Sequence, residues 1–298
     1  MKNNIAFFGA SVTQQRDGYW KYFADINPQF NVQPFGYGSR HLNDAGICYI
    51  DKVLEFEPEY CFIDWFSTGY IKYNEDKFDE IKEYINTIIY KFYSKNVKLI
   101  FLTFPDLTVD KADIYSRING YLNSINIPII DISNSFDNIN SILRDGIHTT
   151  PYGSEQYAVI INQIFKDSMY EKLEIPVIYP DKTKYWNVKH IDLNITVTEK
   201  LILQGQSEVI GISQYIGPYT GLINIDGVTF NNWDRWCYYE REMVNLKFKV
   251  NELTTIEILE DDFDRSICEH NANWGMKKKL VLITMFYIGD DIKIIEYK

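Results

Sequence analysis

Two short segments of this chain carry residue types that together perform acyl transfer. In "NIAFFGASVT" an apolar, strand-like run closes on Gly9-Ala10-Ser11. In "LRDGIHTTPYGSEQYA" Asp145 and His148 stand just ahead of a helical pattern. A serine hydroxyl is a weak nucleophile until a base lies within hydrogen-bond reach and a third group orients that base. A histidine with a carboxylate partner supplies both needs. Each residue also has a plainer role open to it. Ser11 suits a helix N-cap, His148 a loop histidine bonded to backbone, and Asp145 a turn. Finding all of them in one α/β chain favours the acyl-transfer site.

The surrounding pattern says how such residues would be positioned. Apolar runs at Ile5–Phe8, Val32–Phe35, Tyr60–Phe66, Val97–Phe104 and Ile127–Ile132 alternate with amphipathic stretches near Leu42–Phe56, Asp76–Tyr93, Lys111–Ser124 and Pro151–Met169. This alternation predicts a mostly parallel, five-stranded, doubly wound sheet of flavodoxin-like type with helices on both faces. Ligands of such sheets bind beyond the carboxyl ends of the strands, at the switch point. Ser11 and the segment after Trp65 fall at such ends. Thr150 and Pro151 read as the cap and first position of the last helix, and Tyr157, Ile160, Ile161, Ile164 and Phe165 as its apolar face.

After about residue 175 the pattern changes to alternating runs broken by Gly, Asn and Asp, about ten residues apart. An all-β, sandwich-like domain over 175–298 is expected to follow an α/β domain over 1–174. The boundary is placed in "EKLEIPVIYPDKTKYW".

Composition narrows the function classes. A chain of 298 residues, 46% apolar, has material for a sizeable core. Its formal net charge of -11 repels phosphate backbones and argues against a nucleic-acid partner. The four cysteines, Cys48, Cys61, Cys237 and Cys268, form no C-x-x-C pair, so no zinc or redox site is expected. The chain opens on a core strand with no charged-then-apolar leader, and no apolar run is long enough to span a bilayer. A cytoplasmic protein is the expectation, and the oligomeric state is not readable.

The two segments resemble the first and fifth blocks of the SGNH, or GDSL, hydrolases. Gly9-Ala10-Ser11 matches the first block, with Ala10 where that family usually has Asp, and Asp145-Gly146-Ile147-His148 matches the fifth. In "NVQPFGYGSRHLND" Gly38 fits the spacing of the second-block glycine. The resemblance covers residues 1 to about 172. It implies Ser11 as nucleophile, His148 as base and Asp145 as its orienting carboxylate. It also implies an oxyanion hole from the Ser11 and Gly38 amides, and no metal or cofactor.

The third block departs from the family. In "CFIDWFSTGY" Thr68 stands where the family has an oxyanion-binding Asn. Three substitutes are open: a hydroxyl of Thr68 or Ser67, the side chain of Asn43, or a hole made of backbone amides alone.

Arg40, His41 and Asp44 lie just after the Gly38 loop and would line the pocket mouth, with ordinary surface packing the competing role. Trp65, Phe66 and Tyr70 would offer a face to a sugar, with ordinary core packing the competing role. The cluster with Trp233, Trp236, Tyr238 and Tyr239 is a glycan platform, core of the second domain, or its interface with the first domain. The implied function is an O-acyl esterase that removes acetyl from a carbohydrate or glycan. Two rivals share the residues: an O-acetyltransferase using Ser11, and an inactive glycan-binding protein.

Overall fold

The computed structural model describes residues 3–66, 77–107, 112–176, 180–195, 199–216, 222–231, 241–259 and 282–297. Contacts divide the chain into two compact units, Met1–Trp186 and Asn187–Lys298. The division falls beyond the proline-bearing stretch where the sequence places the boundary. The segment before it packs on the first unit: Tyr185 donates to the Tyr84 hydroxyl at 3.1 Å, and Trp186 meets Tyr90 edge-on at 4.2 Å.

Five strands build the sheet of the first unit: β1 (Asn4–Gly9), β2 (Asn31–Gly36), β3 (Tyr60–Asp64), β4 (Lys98–Thr103) and β5 (Ile129–Asp131). They pair in parallel in the order β2-β1-β3-β4-β5. The chain leaves β1 toward β2 on one side and returns to β3 on the other. The switch point therefore lies at the carboxyl ends of β1 and β3.

Eight α-helices appear among the described residues of this unit. They are α1 (Ser11–Gln14), α2 (Tyr19–Ile26), α3 (Ala45–Cys48), α4 (Ile50–Leu54), α5 (Phe78–Tyr93), α6 (Ala112–Ser124), α7 (Ile139–Ile142) and α8 (Pro151–Ile164). The stretch expected as one helix over Leu42–Phe56 is two short ones. They break at Tyr49, whose ring stacks on Tyr37 at 4.2 Å. Helix α8 begins as read: Thr150 Oγ1 accepts from the Gly153 amide at 3.0 Å, with Pro151 behind it.

Period-two alternation sends neighbouring β1 side chains to opposite faces. Phe7 stacks on Phe62 at 4.7 Å and meets Tyr19 and Phe23 edge-on. Phe8 turns the other way, against Trp65 at 5.1 Å and Phe92. All are fully buried. This burial is the main driving term that holds β1, and so Ser11, in place.

The second unit is all-β and antiparallel, and its described strands belong to one eight-stranded sheet. Its strands are β6 (Lys189–Ile195), β7 (Lys200–Ile216), β8 (Leu222–Ile225), β9 (Val228–Asn231), β10 (Arg241–Asn245), β11 (Phe248–Leu259), β12 (Leu282–Gly289) and β13 (Lys293–Tyr297). Strand β7 is the spine. It pairs with β11 and β10 along one edge and with β13 and β12 along the other. Leu193, Leu203, Ile212, Ile223, Ile256 and Met285 lie in its core. The cluster around Trp233 and Trp236 lies outside the described residues. No described helix of the chain is long and apolar enough to cross a membrane.

Phe7→Ala should lower the unfolding free energy by about 3–5 kcal/mol, since it leaves a cavity among the rings of Tyr19, Phe23 and Phe62. Urea unfolding followed by circular dichroism measures it, with Phe7→Leu expected to cost clearly less.

Candidate active site

Ser11 is the first residue of α1 and follows directly from β1 through Ala10. The N-cap is Ala10, so the capping role is not the one Ser11 fills. The turn is pinned on two sides. The Ala10 amide donates to Asp64 O at the end of β3 (3.0 Å), and the Tyr37 amide after β2 donates to Gly9 O (2.9 Å). Thr13 Oγ1 donates to Asp64 Oδ2 at 2.9 Å and shares a 2.9 Å contact with the Tyr19 hydroxyl. Thr13 and Asp64 are fully buried. Burial, and then the Asp64 charge, push the Tyr19 phenol well above its ordinary pKa, so it stays protonated.

Asp145 and His148 sit on a narrow loop closed by an antiparallel bridge between Leu143 and Thr149, with the Arg144 amide donating to His148 O at 2.8 Å. Gly146 turns at φ 86°, which a side chain at that position would strain. Asp145 serves two masters through its two oxygens. Oδ1 accepts from the amides of Ile147 (3.2 Å) and His148 (2.8 Å), which shapes the loop. Oδ2 accepts from His148 Nδ1 at 2.9 Å.

A carboxylate only accepts, so Nδ1 carries the ring proton and Nε2 presents its lone pair. That lone pair faces Ser11 Oγ at 2.8 Å, across 137 residues of sequence. The three catalytic candidates thus form one relay, with Ser11 Oγ–H donating to His148.

Burial works to raise the Asp145 pKa. Hydrogen bonds from the His148 amide and ring, and then from the Ile147 amide, outweigh it and hold the carboxyl below its usual range. Its side chain is 49% exposed, so solvent screens much of this interaction.

The remaining sequence candidates fare differently. Trp65 is a correction: its indole is fully buried against Phe8 and leaves no face for a sugar. Phe66 is buried likewise. Strand β3 ends at Asp64, and the two aromatics that directly follow it are core. Arg40 and His41 lie on the loop after β2. The Arg40 Nε donates to Ser39 O at 2.6 Å, and its guanidinium lies 3.8 Å from Asp44 Oδ2. Asp44 accepts from the His41 amide and caps α3, so it shapes this loop. Gly38 is buried, and its amide donates to Gln14 Oε1 at 2.9 Å. Thr68, Ser67 and Tyr70 lie outside the described residues.

The sequence reading passed over two glutamines and a carboxylate that build the site: Gln14, Gln15 and Asp64. Gln15 joins the nucleophile turn to the histidine loop. Its Nε2 donates to Thr149 O (3.2 Å), and its Oε1 accepts from the Thr149 amide (3.2 Å) and hydroxyl (3.3 Å). The only signal available in advance was that both follow Ser11 within one turn.

Against known proteins, the sequence matches no family model and no curated protein. The structure does find counterparts. A two-domain esterase active on acetylated mannans aligns with a TM-score of 0.63 and 15% identity, over 97% of this chain and 92% of that one. The chain has the fold of the SGNH hydrolases. An acetyl xylan esterase aligns over 53% of this chain and 97% of its own, with 19% identity and a TM-score of 0.43. A GDSL-like lipase from Bacteroides thetaiotaomicron aligns over 56% and 89%, with 16% identity and a TM-score of 0.45.

Two outcomes check this geometry. Asp145 is held below its ordinary pKa, so its stabilising contribution is complete above the unfolded value and fades as pH falls through the folded one. Between about pH 5 and pH 2 the wild type should therefore lose more unfolding free energy than Asp145→Asn. Gln15→Ala should lower kcat by about 10–10²-fold through misplacement of His148, with Gln15→Glu, which keeps the acceptor, falling between. Steady-state kinetics beside unfolding curves separates this from a loss of fold.

Proposed function

We propose that the protein is a serine-dependent O-acyl esterase that removes acetyl groups from a carbohydrate or glycan. The observation that carries it is the Ser11–His148–Asp145 relay, at 2.8 and 2.9 Å, at the carboxyl end of β1. Ser11 Oγ attacks the ester carbonyl as its proton passes to His148 Nε2. The carbonyl π pair moves onto oxygen, giving a tetrahedral oxyanion. Asp145 stabilises the imidazolium through Nδ1–H without taking the proton. Collapse re-forms the carbonyl and breaks the bond to the sugar oxygen, which leaves with the proton from His148. Water then repeats the sequence on the acyl-serine, with His148 as base, and acetate departs.

The substrate class is supported by the layout as a whole. The similarity to the acetylated-mannan esterase spans both units of this chain. Leu107 and Tyr152, each 55% exposed, stand beside the catalytic loop. The Leu107 amide donates to Gly146 O at 2.8 Å, and Tyr152 is the second residue of α8, four residues after His148. An exposed phenol ring there suits stacking on a sugar, and both side chains suit a short acyl group.

The wild type should release acetate from O-acetylated manno- or xylo-oligosaccharides and become labelled at Ser11 by a fluorophosphonate. Ser11→Ala should do neither while keeping its thermal midpoint. Acetate release that persists in Ser11→Ala sinks the proposal. Deacetylation of the donor that requires an added sugar acceptor, with the acetyl recovered on that acceptor and no free acetate, would favour acetyl transfer over hydrolysis.

A further inference from the structure

We infer that the side-chain amide of Gln14 is a donor in the oxyanion hole, filling the place that the third sequence block leaves without an asparagine. The inference deepens the esterase reading and rests on it. Gln14 lies one helical turn after Ser11, and residues three apart on a helix are surface neighbours. Long helical side chains also lean back toward the N-terminal turn. The carboxamide is therefore directed along the face that carries the nucleophile.

Its base is held still. A Cβ on Gly36 would meet the Gln14 nitrogen at 2.3 Å and its Cα at 2.5 Å, so α1 is seated directly on the end of β2. Its tip is oriented too. The Gly38 N–H only donates, so the atom facing it at 2.9 Å is Oε1. That assignment leaves Nε2 as the outward end, and it makes no hydrogen bond among the described residues. A donor bonded into the amide carbonyl also strengthens the amide N–H as a donor.

This arrangement redistributes roles. The Gly38 amide, expected to bind the oxyanion itself, instead orients a carboxamide. Gln14 Nε2–H then meets the carbonyl oxygen as its charge develops, in the way an asparagine amide would from the third block. Thr68 no longer has to act as an amide substitute.

The experiment is single-turnover acylation of Ser11 by p-nitrophenyl acetate, read from nitrophenolate release, in wild type, Gln14→Ala, Gln14→Met and Gln14→Glu. Loss of one such donor slows acylation by about 10²-fold or more. All three variants should show that loss. Gln14→Glu matters most, because it keeps an acceptor for the Gly38 amide, and with it the packing of the loop, while removing the donor. Acylation as fast as wild type, or faster, in Gln14→Glu or Gln14→Ala overturns the inference and makes the carboxamide a cover over the Gly38 amide. A wild type that is neither labelled at Ser11 nor dependent on Ser11 for turnover would overturn the esterase reading as well. With both Ser11 results in place, the Gln14 comparison stands on its own.

Discussion

A Cβ at position 36 would stand 2.3 Å from the Gln14 nitrogen, so α1 lies on the end of β2 at a separation that only glycine permits. The rest of the site inherits that contact. It sets the height of Ser11 above the sheet, delivers the Gln14 carboxamide to the Gly38 amide, and leaves Gln15 facing Thr149. The amide of Ala10 closes the other side on Asp64 O. A short helix of four residues has little stability of its own. Here it is held by the strands beneath it.

The polar groups under that turn are buried, which costs free energy unless each finds a partner. Thr13 meets Asp64 and Tyr19, so a carboxylate with no exposed surface ties α1 to β3. Breaking one member would leave the other uncompensated. Around this network stand Phe7, Phe23, Phe62, Phe104 and Tyr157, whose rings contact one another in tilted, stacked and edge-on pairs. The aromatic richness of the chain is thus largely packing in this unit, and Trp65 belongs to it.

The histidine loop is stabilised differently. It is more exposed, and its order comes from hydrogen bonds that Asp145 makes to its own backbone. The same carboxylate orients His148, so loop shape and tautomer are set by one side chain. Gln15 connects this loop to the buried turn. The second unit builds its own core around β7.

The sequence by itself determined the parts written in local patterns. Short continuous apolar runs marked the five strands in order, and amphipathic stretches marked α5, α6 and α8. The cap at Thr150 and the pair Asp145-x-x-His148 were legible because the chemistry of each is contained within four residues. Helix α2 was not legible. It is short, buries Tyr19 and Phe23, and leaves Ile26 exposed, so its apolar stripe is cut off after one turn. Only the tertiary structure decided which groups meet. Gln14 and Gln15 carry no local signal, since their partners lie 24 and 134 residues away. Trp65 reads alike whether its face meets sugar or core, and burial alone separates the two. Contacts between distant segments depend on sheet order and on how closely backbones approach, and neither is encoded in the residues that make the contact.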